Sequence, residues 1–196
     1  MWSLSHTNLI NWQIKNNDTI SISNILPDGF SIINKNRQNR SGGGVAIIYK
    51  NSIKIVNFDF SSFDFSSFES CFLKIITNDS KSCIFSCIYR PPRSKKNTSL
   101  PHEFLTEFNE LFELLTAEQR VFIFGDFNLH FEKLDDTFVN DFKSLIDEHG
   151  FFQNITVPTH TSGHTLDLFL FRLPDPIPIS PVVSNVCLSD HFVVTA

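Results

Sequence analysis

The sequence has few of the features that mark several large classes of protein. Its 196 residues include four cysteines, one methionine, two tyrosines and two tryptophans, and 21 acidic residues outnumber 16 basic ones. The net charge of −5 gives no overall positive field, so binding to nucleic acid or to an anionic membrane would need local patches. No uninterrupted apolar run approaches the ~20 residues that cross a bilayer. We therefore expect no membrane partner.

The four cysteines lack the spacing of common metal and redox motifs. No two of them are separated by the two-residue gap of zinc sites and redox pairs. Cys83 and Cys87 are four positions apart in a strand-like run, which places both side chains on one face. The first residues also lack the basic start and apolar middle of a secretory signal. We expect reduced thiols and a reducing compartment, the nucleus or the cytoplasm.

Phenylalanine is abundant, with 22 residues in a composition that is 41% hydrophobic and 19% charged. This composition excludes an intrinsically disordered chain and favours strands over a helical bundle. The length fits a single domain, residues 1–196. Strand-like runs occupy residues 45–49, 53–58, 71–76, 83–89, 121–124, 166–171 and 192–194. The first two runs are predicted to form one hairpin, and the next two a second.

Two further segments carry the apolar spacing of helices. Residues 104–115 place apolar side chains on one face after Pro101, and residues 138–146 do the same between Asp136 and Gly150. Each segment is apolar on one side only. The pattern predicts an α/β (α+β) fold in which two packed, mainly antiparallel sheets are flanked by helices.

One cluster of polar residues follows a short apolar strand. Residues 122–128 read Phe-Ile-Phe-Gly-Asp-Phe-Asn, so Asp126 and Asn128 stand where the strand ends, after Gly125. Strand ends are where open α/β sheets place their ligands. On extended backbone the two side chains would point to a common position. An Asx turn that serves only the local backbone explains the same residues about equally well.

Two later segments supply a carboxylate and an imidazole. Asp167 lies near the start of the apolar run 166–171, where a lone carboxylate is costly unless it is paired. Asp190 and His191 precede the last run and would face opposite sides, so they need different partners. We predict that Asp167 orients His191, a pairing that fixes the tautomer and raises the basicity of the imidazole. The alternative for residues 189–191 is a solvated surface turn.

These motifs, taken in order, resemble the endonuclease/exonuclease/phosphatase superfamily. Gly-Asp-Phe-Asn at 125–128 is followed by Gly-His-Thr-Leu-Asp at 163–167 and Ser-Asp-His at 189–191. Further matches are Arg-Ser-Gly-Gly-Gly-Val-Ala-Ile at 40–47, Ile-Tyr-Arg-Pro-Pro at 88–92 and Pro-Thr-His at 158–160. The sequence is most similar to the endonuclease domain of LINE-type retrotransposons. That resemblance implies a four-layer α/β sandwich like that of deoxyribonuclease I.

The resemblance also implies roles for matching residues in phosphodiester cleavage. Asp126 would orient or deprotonate the attacking water, and Asn128 would hold the phosphate and the metal. His191, supported by Asp167, would stabilise the charge of the phosphorane, and Tyr89 would contact the phosphate.

The same resemblance implies a metal and DNA contacts. Asp190 would help to ligate the metal, and the ion would be Mg²⁺ or Mn²⁺, because the candidate ligands are hard oxygens. Arg90, Thr159 and Ser189 would contact DNA. A monomer is expected, with a reverse transcriptase domain in the parent element.

The sequence departs from the family pattern near its start. If Trp12 matches the family tryptophan of Thr-Glu-Thr-Trp, Ile10 occupies the position of the metal-binding glutamate. The chain is then expected to lack the opening β-α-β unit and part of the closing strand. An isoleucine cannot bind Mg²⁺, so we expect impaired catalysis. A non-catalytic binding scaffold and a phosphatase of the same superfamily are the alternatives.

Overall fold

The computed structural model describes residues 9–10, 26–36, 44–60, 62–94, 99–174, 179–187 and 189–196. Trp12 and residues 40–43, the start of the motif at 40–47, lie outside them. The strands are β1 (Leu9–Ile10), β2 (Phe30–Asn36), β3 (Gly44–Lys50), β4 (Glu69–Ile76), β5 (Ser82–Tyr89), β6 (Val121–Asp126), β7 (Phe152–Gln153), β8 (Asp167–Arg172), β9 (Val182–Ser184) and β10 (Val193–Thr195). The helices are α1 (Pro101–Leu114) and α2 (Thr137–Glu148).

The largest sheet has five strands in the order β4-β5-β6-β8-β7. All of its pairings are antiparallel except β5 with β6, which is parallel. The apolar run 121–124, predicted to be a strand, is β6 in the centre of the sheet, and the predicted hairpin of residues 71–76 and 83–89 is β4 with β5. Both predictions are confirmed, because continuous apolar runs are typical of strands that are buried on both faces.

Both helices begin where the sequence predicts them. Pro101 occupies the first turn of α1, and the Glu103 carboxylate accepts the N–H of Leu100 at 2.7 Å. The Asp136 carboxylate caps α2 by accepting the N–H of Phe138 at 3.0 Å. Their apolar faces pack on one side of the five-stranded sheet in a core rich in phenylalanine. Among the described residues, neither helix is long and apolar enough to cross a membrane.

A second, smaller sheet covers the opposite side. It has the order β1-β3-β2, with antiparallel pairing throughout. Val45 and Ile47 of β3 pack on the five-stranded sheet in a core that also contains Cys71, Cys83 and Cys87. These three thiols are buried and free, whereas the thiol of Cys187 is exposed. The predicted architecture of two packed, mainly antiparallel sheets with helices on the outside is confirmed.

The predicted hairpin of residues 45–49 with 53–58 is wrong. The partner of β3 is β2, a strand that the sequence pattern did not reveal. Residues 53–58 instead run beside β4, joined to it by the Ile55–Ile75 bridge and by the N–H of Val56 to the carbonyl of Lys74 at 2.9 Å. The apolar alternation of this segment reflects an extended chain with one buried side, which does not specify the partner.

Candidate active site

Four polar side chains stand in one row across the five-stranded sheet. Asp126 is directly opposite Tyr89 on β5 and directly opposite Asp167 on β8. Tyr89 is in turn opposite Glu69 on β4. Residues that face each other across neighbouring strands project from the same face of a sheet. The row therefore lies on the face covered by the smaller sheet, at the end of the strands.

Gly125 allows β5 and β6 to approach each other beside this row. Its φ is +148°, and a Cβ atom at this position would lie 1.8 Å from the carbonyl oxygen of Ile88. Any side chain would therefore collide with the backbone of the neighbouring strand. This close approach fixes where Asp126 leaves the sheet.

Asp126 is 4% exposed and is held by the residue two positions later. Its Oδ1 accepts the backbone N–H of Asn128 at 2.9 Å, and its Oδ2 accepts Nδ2 of the same side chain at 2.8 Å. The φ of Asn128 is +46°, so the segment is an Asx turn and not the extended backbone that we predicted. The turn nevertheless brings the amide and the carboxylate together. The sequence offered an Asx turn and a common position of the two side chains as alternatives, and the structure has both.

His191 lies between the two aspartates. Its Nδ1 is 2.9 Å from Oδ2 of Asp167, and its Nε2 is 3.9 Å from Oδ2 of Asp126. The predicted pairing of Asp167 with His191 is confirmed as a contact. A bridge between His160 and His191, and the N–H of Phe192 to the carbonyl of Thr159 at 2.7 Å, attach this segment to the sheet.

The surroundings of Asp126 and His191 raise the pKa of both groups. Burial, and then the charge of Asp167, raise the pKa of Asp126 from 3.8 to about 6. The hydrogen bond to Asp167 raises the pKa of His191 from 6.5 to about 9, against the effect of burial. At neutral pH the imidazole is therefore protonated and Asp126 is mostly ionised.

Two residues predicted to contact DNA are buried behind the cluster. Arg90 is 8% exposed, and its guanidinium donates to the carbonyl oxygens of Phe127 and Asn128, both at 3.2 Å. Thr159 is fully buried, and its Oγ1 accepts the N–H of Leu166 and of Asp167 at 3.0 and 2.9 Å. These contacts hold Asn128 and Asp167 in place. A direct contact with DNA stays a prediction for both residues, and their burial weighs against it.

The other predicted residues of segment 189–191 are at the surface. Asp190 lies 3.3 Å from Nε2 of His160, through its Oδ2, and this hydrogen bond lowers the pKa of the exposed carboxyl. Asp190 and His191 thus have different partners, as predicted. The Ser189 hydroxyl is exposed and binds the backbone N–H and carbonyl of His191 at 3.1 and 3.0 Å. Its predicted contact with DNA stays a prediction.

Sequence reasoning missed Glu69 and His160. Glu69 extends the row beyond Tyr89, and its Oε2 atom is buried. Its signal was the one used for Asp167, a carboxylate at the start of an apolar strand. The His160 ring meets the His191 ring edge to face, with centroids 4.9 Å apart. Its signal was the Pro-Thr-His match at 158–160, from which the prediction took only Thr159.

The residues present fit a divalent cation. Asp126, Asp167 and His191 each offer one ligand atom, and these atoms lie within 4.8 Å of one another. The two neighbouring carboxylates repel each other, which contributes to the raised pKa of Asp126, and a cation between them would relieve that repulsion. The Asn128 amide uses Nδ2 for Asp126 and for the carbonyl of Arg90, which leaves Oδ1 as its acceptor atom.

A sequence profile of the Endonuclease/Exonuclease/phosphatase family matches residues 4–191, so the chain belongs to that family. The family description covers endonucleases, exonucleases and phosphatases. No curated protein sequence matches the chain.

Solved structures share the fold at low sequence identity. The 3′ phosphatase NExo from Neisseria, bound to a product DNA hairpin, has a TM-score of 0.67 and 14% identity, over 96% of this chain and 87% of that one. Truncated TDP2 from Caenorhabditis elegans has a TM-score of 0.61 and 12% identity, over 96% and 82%. The catalytic domain of Xenopus laevis APE2 has a TM-score of 0.53 and 17% identity, over 86% and 75%. These likenesses support the predicted deoxyribonuclease I-like fold.

Proposed function

We propose that this chain hydrolyses phosphodiester bonds of DNA with a bound Mg²⁺ ion. The observation that carries the proposal is the position of His191, whose imidazole pairs with Asp167 through Nδ1 and faces Asp126 through Nε2. An imidazolium and a carboxylate that face each other across a few ångströms can serve the two sides of one reacting phosphate.

Each residue predicted to act in catalysis has a definite task in this mechanism. Asp126, ionised at neutral pH, accepts a proton from the attacking water as the water oxygen bonds to phosphorus. The opposite P–O bond breaks, and the leaving oxygen takes a proton from solvent. The His191 imidazolium donates a hydrogen bond to a phosphate oxygen as negative charge develops there, and Asp167 fixes the orientation of the ring. The Tyr89 hydroxyl contacts the phosphate. Asn128 and Asp190 are the proposed metal ligands, and a bound Mg²⁺ would polarise the phosphate.

The finer assignment is to target-site nicking by a LINE-type retrotransposon endonuclease. The ordered motifs at 88–92, 125–128, 163–167 and 189–191 support it. The assignment includes a monomeric domain over residues 1–196, DNA as partner, an intracellular location in the nucleus or cytoplasm, and a reverse transcriptase domain in the parent element.

The test is the conversion of supercoiled plasmid to the open circle in the presence of Mg²⁺. We expect weak nicking by the wild-type chain, because Ile10 stands at the position of the metal-binding glutamate, and none by Asp126→Asn or His191→Gln. Asp141→Asn and His102→Gln carry the same chemical changes at exposed positions of α2 and α1 and serve as matched controls. Nicking that survives in both site variants would refute the proposal.

The same assay tests whether Ile10 limits the rate. Ile10 pairs with Ala46 of β3 and occupies the position that the family resemblance gives to a metal-binding glutamate. We expect Ile10→Glu to increase nicking several-fold or more, because an added carboxylate strengthens metal binding. Leu9→Glu, one position earlier in β1, is the control. DNA binding without nicking in every variant would instead indicate a non-catalytic scaffold.

A second candidate function is removal of a terminal phosphate. It is favoured by the likeness to NExo, which is a 3′ phosphatase. Release of inorganic phosphate from a 3′-phosphorylated DNA hairpin, compared with nicking of the plasmid and with turnover of inositol phosphates, separates the two activities. Faster release from the hairpin than cleavage of the plasmid would favour the phosphatase.

A further inference from the structure

A second cluster of potential ligands lies on the loops that flank the candidate active site. His130 and Glu132 follow β6, and His164 precedes β8. One ligand atom from each of these side chains lies within 4.8 Å of the other two. The cluster shares no residue with the row of carboxylates, and the proposed cleavage of DNA does not use it.

Glu132 is held by one oxygen and directs the other toward both imidazoles. Its Oε2 accepts the backbone N–H of Thr165 at 3.1 Å. Its Oε1 lies 2.7 Å from Nδ1 of His164 and 3.6 Å from Nδ1 of His130. Hydrogen bonds of this kind, made by the atoms outside the coordination sphere, are what orient ligands in metal sites.

His130 supplies an independent sign of a missing ligand. Its Nδ1 atom is buried, and among the described residues it has no hydrogen-bond partner. Buried polar atoms in folded proteins are nearly always paired. The His130 and His164 rings are in contact, with centroids 3.8 Å apart, so the unpaired nitrogen lies beside the second imidazole as well as the carboxylate.

The cluster is also accessible. The side chains of His130, Glu132 and His164 are 37%, 36% and 34% exposed, so an ion can enter from solvent and water can complete its coordination. The two loops are already joined by the N–H of Phe131 to the carbonyl of Thr165 at 3.3 Å. An ion held by both loops would cross-link them next to Asn128 and Asp167.

We propose that His130, Glu132 and His164 bind a transition-metal ion, with Zn²⁺ as the best fit. Two imidazoles and one carboxylate, with a water in the fourth position, are a zinc donor set. Mg²⁺ prefers oxygen ligands, such as those proposed at Asn128 and Asp190. The bound ion acts as a clamp that restrains the loops on both sides of the site.

The experiment uses Co²⁺ as a spectroscopic substitute for Zn²⁺. Excess Mg²⁺ is present so that the oxygen ligands of the candidate active site are occupied. We expect one equivalent of Co²⁺ to bind with the absorption of a four-coordinate ion, and Zn²⁺ to displace it. His164→Gln and Glu132→Gln should weaken binding roughly a hundredfold or more, since loss of a supporting partner alone costs ~10–100-fold. His102→Gln, an exposed histidine of α1, should bind normally.

Two further variants keep the test decisive. His160→Gln alters the neighbouring group formed by His160, Asp190 and His191, which also has metal-ligand spacing. Loss of the signal in His160→Gln but not in His164→Gln would overturn the proposal, as would absence of bound Co²⁺ in the folded wild-type chain. If circular dichroism shows that His164→Gln is unfolded, His130→Gln replaces it. The readout is metal binding, so it does not depend on cleavage of DNA.

Discussion

The two faces of the five-stranded sheet are built from alternating residues of the same strands and have opposite properties. On the helix face, Ile123 of β6 and Leu168 and Leu170 of β8 are at most 2% exposed and pack on the apolar sides of α1 and α2. On the other face, the same two strands reach Asp126 and Asp167 at their ends. Because successive side chains of a strand point to opposite faces, the residues that stabilise the core and the residues of the candidate site lie on opposite faces of the same strands.

This difference predicts whether a substitution should change the stability of the fold or the proposed activity. The helix face contains no ionisable group that the proposed reaction needs, so changes there should affect folding alone. The opposite face (the site face), which carries the candidate active site, holds the Asp126 carboxylate, whose pKa is raised by burial. Burial of this carboxylate lowers the stability of the fold, and the raised pKa suits the proton transfer proposed for Asp126. Substitutions on each face can test this division between effects on folding and effects on cleavage.

The largest effect is expected on the site face. His191→Gln removes the imidazolium beside Asp126, so nicking should fall about a thousandfold or more. Urea denaturation should show a far smaller proportional change, because the side chain lies at the edge of the core. A loss of activity that merely tracks a loss of folded protein would contradict the division.

Phe108→Ala tests the helix face. Phe108 is fully buried, and its ring lies 5.0–5.4 Å, between centroids, from those of Phe68, Phe104, Phe112 and Phe142. We expect the free energy of unfolding to fall by about 3–5 kcal/mol, measured by urea denaturation. Leu114→Ala, at an exposed position of the same helix, should change it little. The folded fraction of Phe108→Ala should still nick DNA at the wild-type rate.

Gly125→Ala acts on both faces, since it forces β6 away from β5. We expect a loss of about 2–4 kcal/mol in the free energy of unfolding, from backbone strain and collision with Ile88. Gly163→Ala is the matched control, because Gly163 also has a positive φ, +84°, but open space where the Cβ would lie. Equal losses in the two variants would show that the close approach contributes nothing.

The smallest effect is the dependence of stability on pH. The folded pKa of His191, about 9, exceeds its ordinary value of 6.5, so the stabilisation is complete below pH 6.5 and is lost as the pH rises through about 9. For this partly exposed group we expect a loss of roughly 1 kcal/mol. Urea denaturation of the metal-free chain at pH 6 and pH 10 measures it, with His191→Gln as the reference.

The cause of that shift can be checked separately. Asp167→Asn should lower the pKa of His191 toward 6.5, because the hydrogen bond to Asp167 is its largest cause. Titration of the imidazole by NMR measures the change in the metal-free chain. A pKa that stays near 9 in Asp167→Asn would show that the pairing has another basis.

The sequence predicted the central elements because their patterns are unambiguous. The apolar runs of β5, β6 and β8 and the single apolar faces of α1 and α2 each permit one type of structure. The edge strand β2 of the smaller sheet was harder to predict. It reads Phe-Ser-Ile-Ile-Asn-Lys-Asn, and its polar residues obscure the strand pattern of a segment that pairs with β3. Residues 53–58 have a stronger strand pattern, yet make only one bridge to β4.

At the site, the sequence predicted the pairing of Asp167 with His191 because a carboxylate in an apolar strand needs a partner. It did not predict that the side chains of Arg90 and Thr159 are buried, because their hydrogen-bond partners are backbone atoms, which are present in every sequence. The positive φ of Asn128 escaped notice for a similar reason, because Asn tolerates both conformations.

The attachment of His191 has a consequence for regulation of the site by local motion. Asp126 and Asp167 belong to strands of the five-stranded sheet, but the imidazole is carried by residues 189–195. This segment is held by the bridge to His160, by the contact of His191 with Asp167 and by the short pair of β9 with β10. Such segments open far more often than central strands. Each opening would withdraw the imidazolium while the carboxylates stay in place, so the proposed nicking activity should be lost well before the domain unfolds.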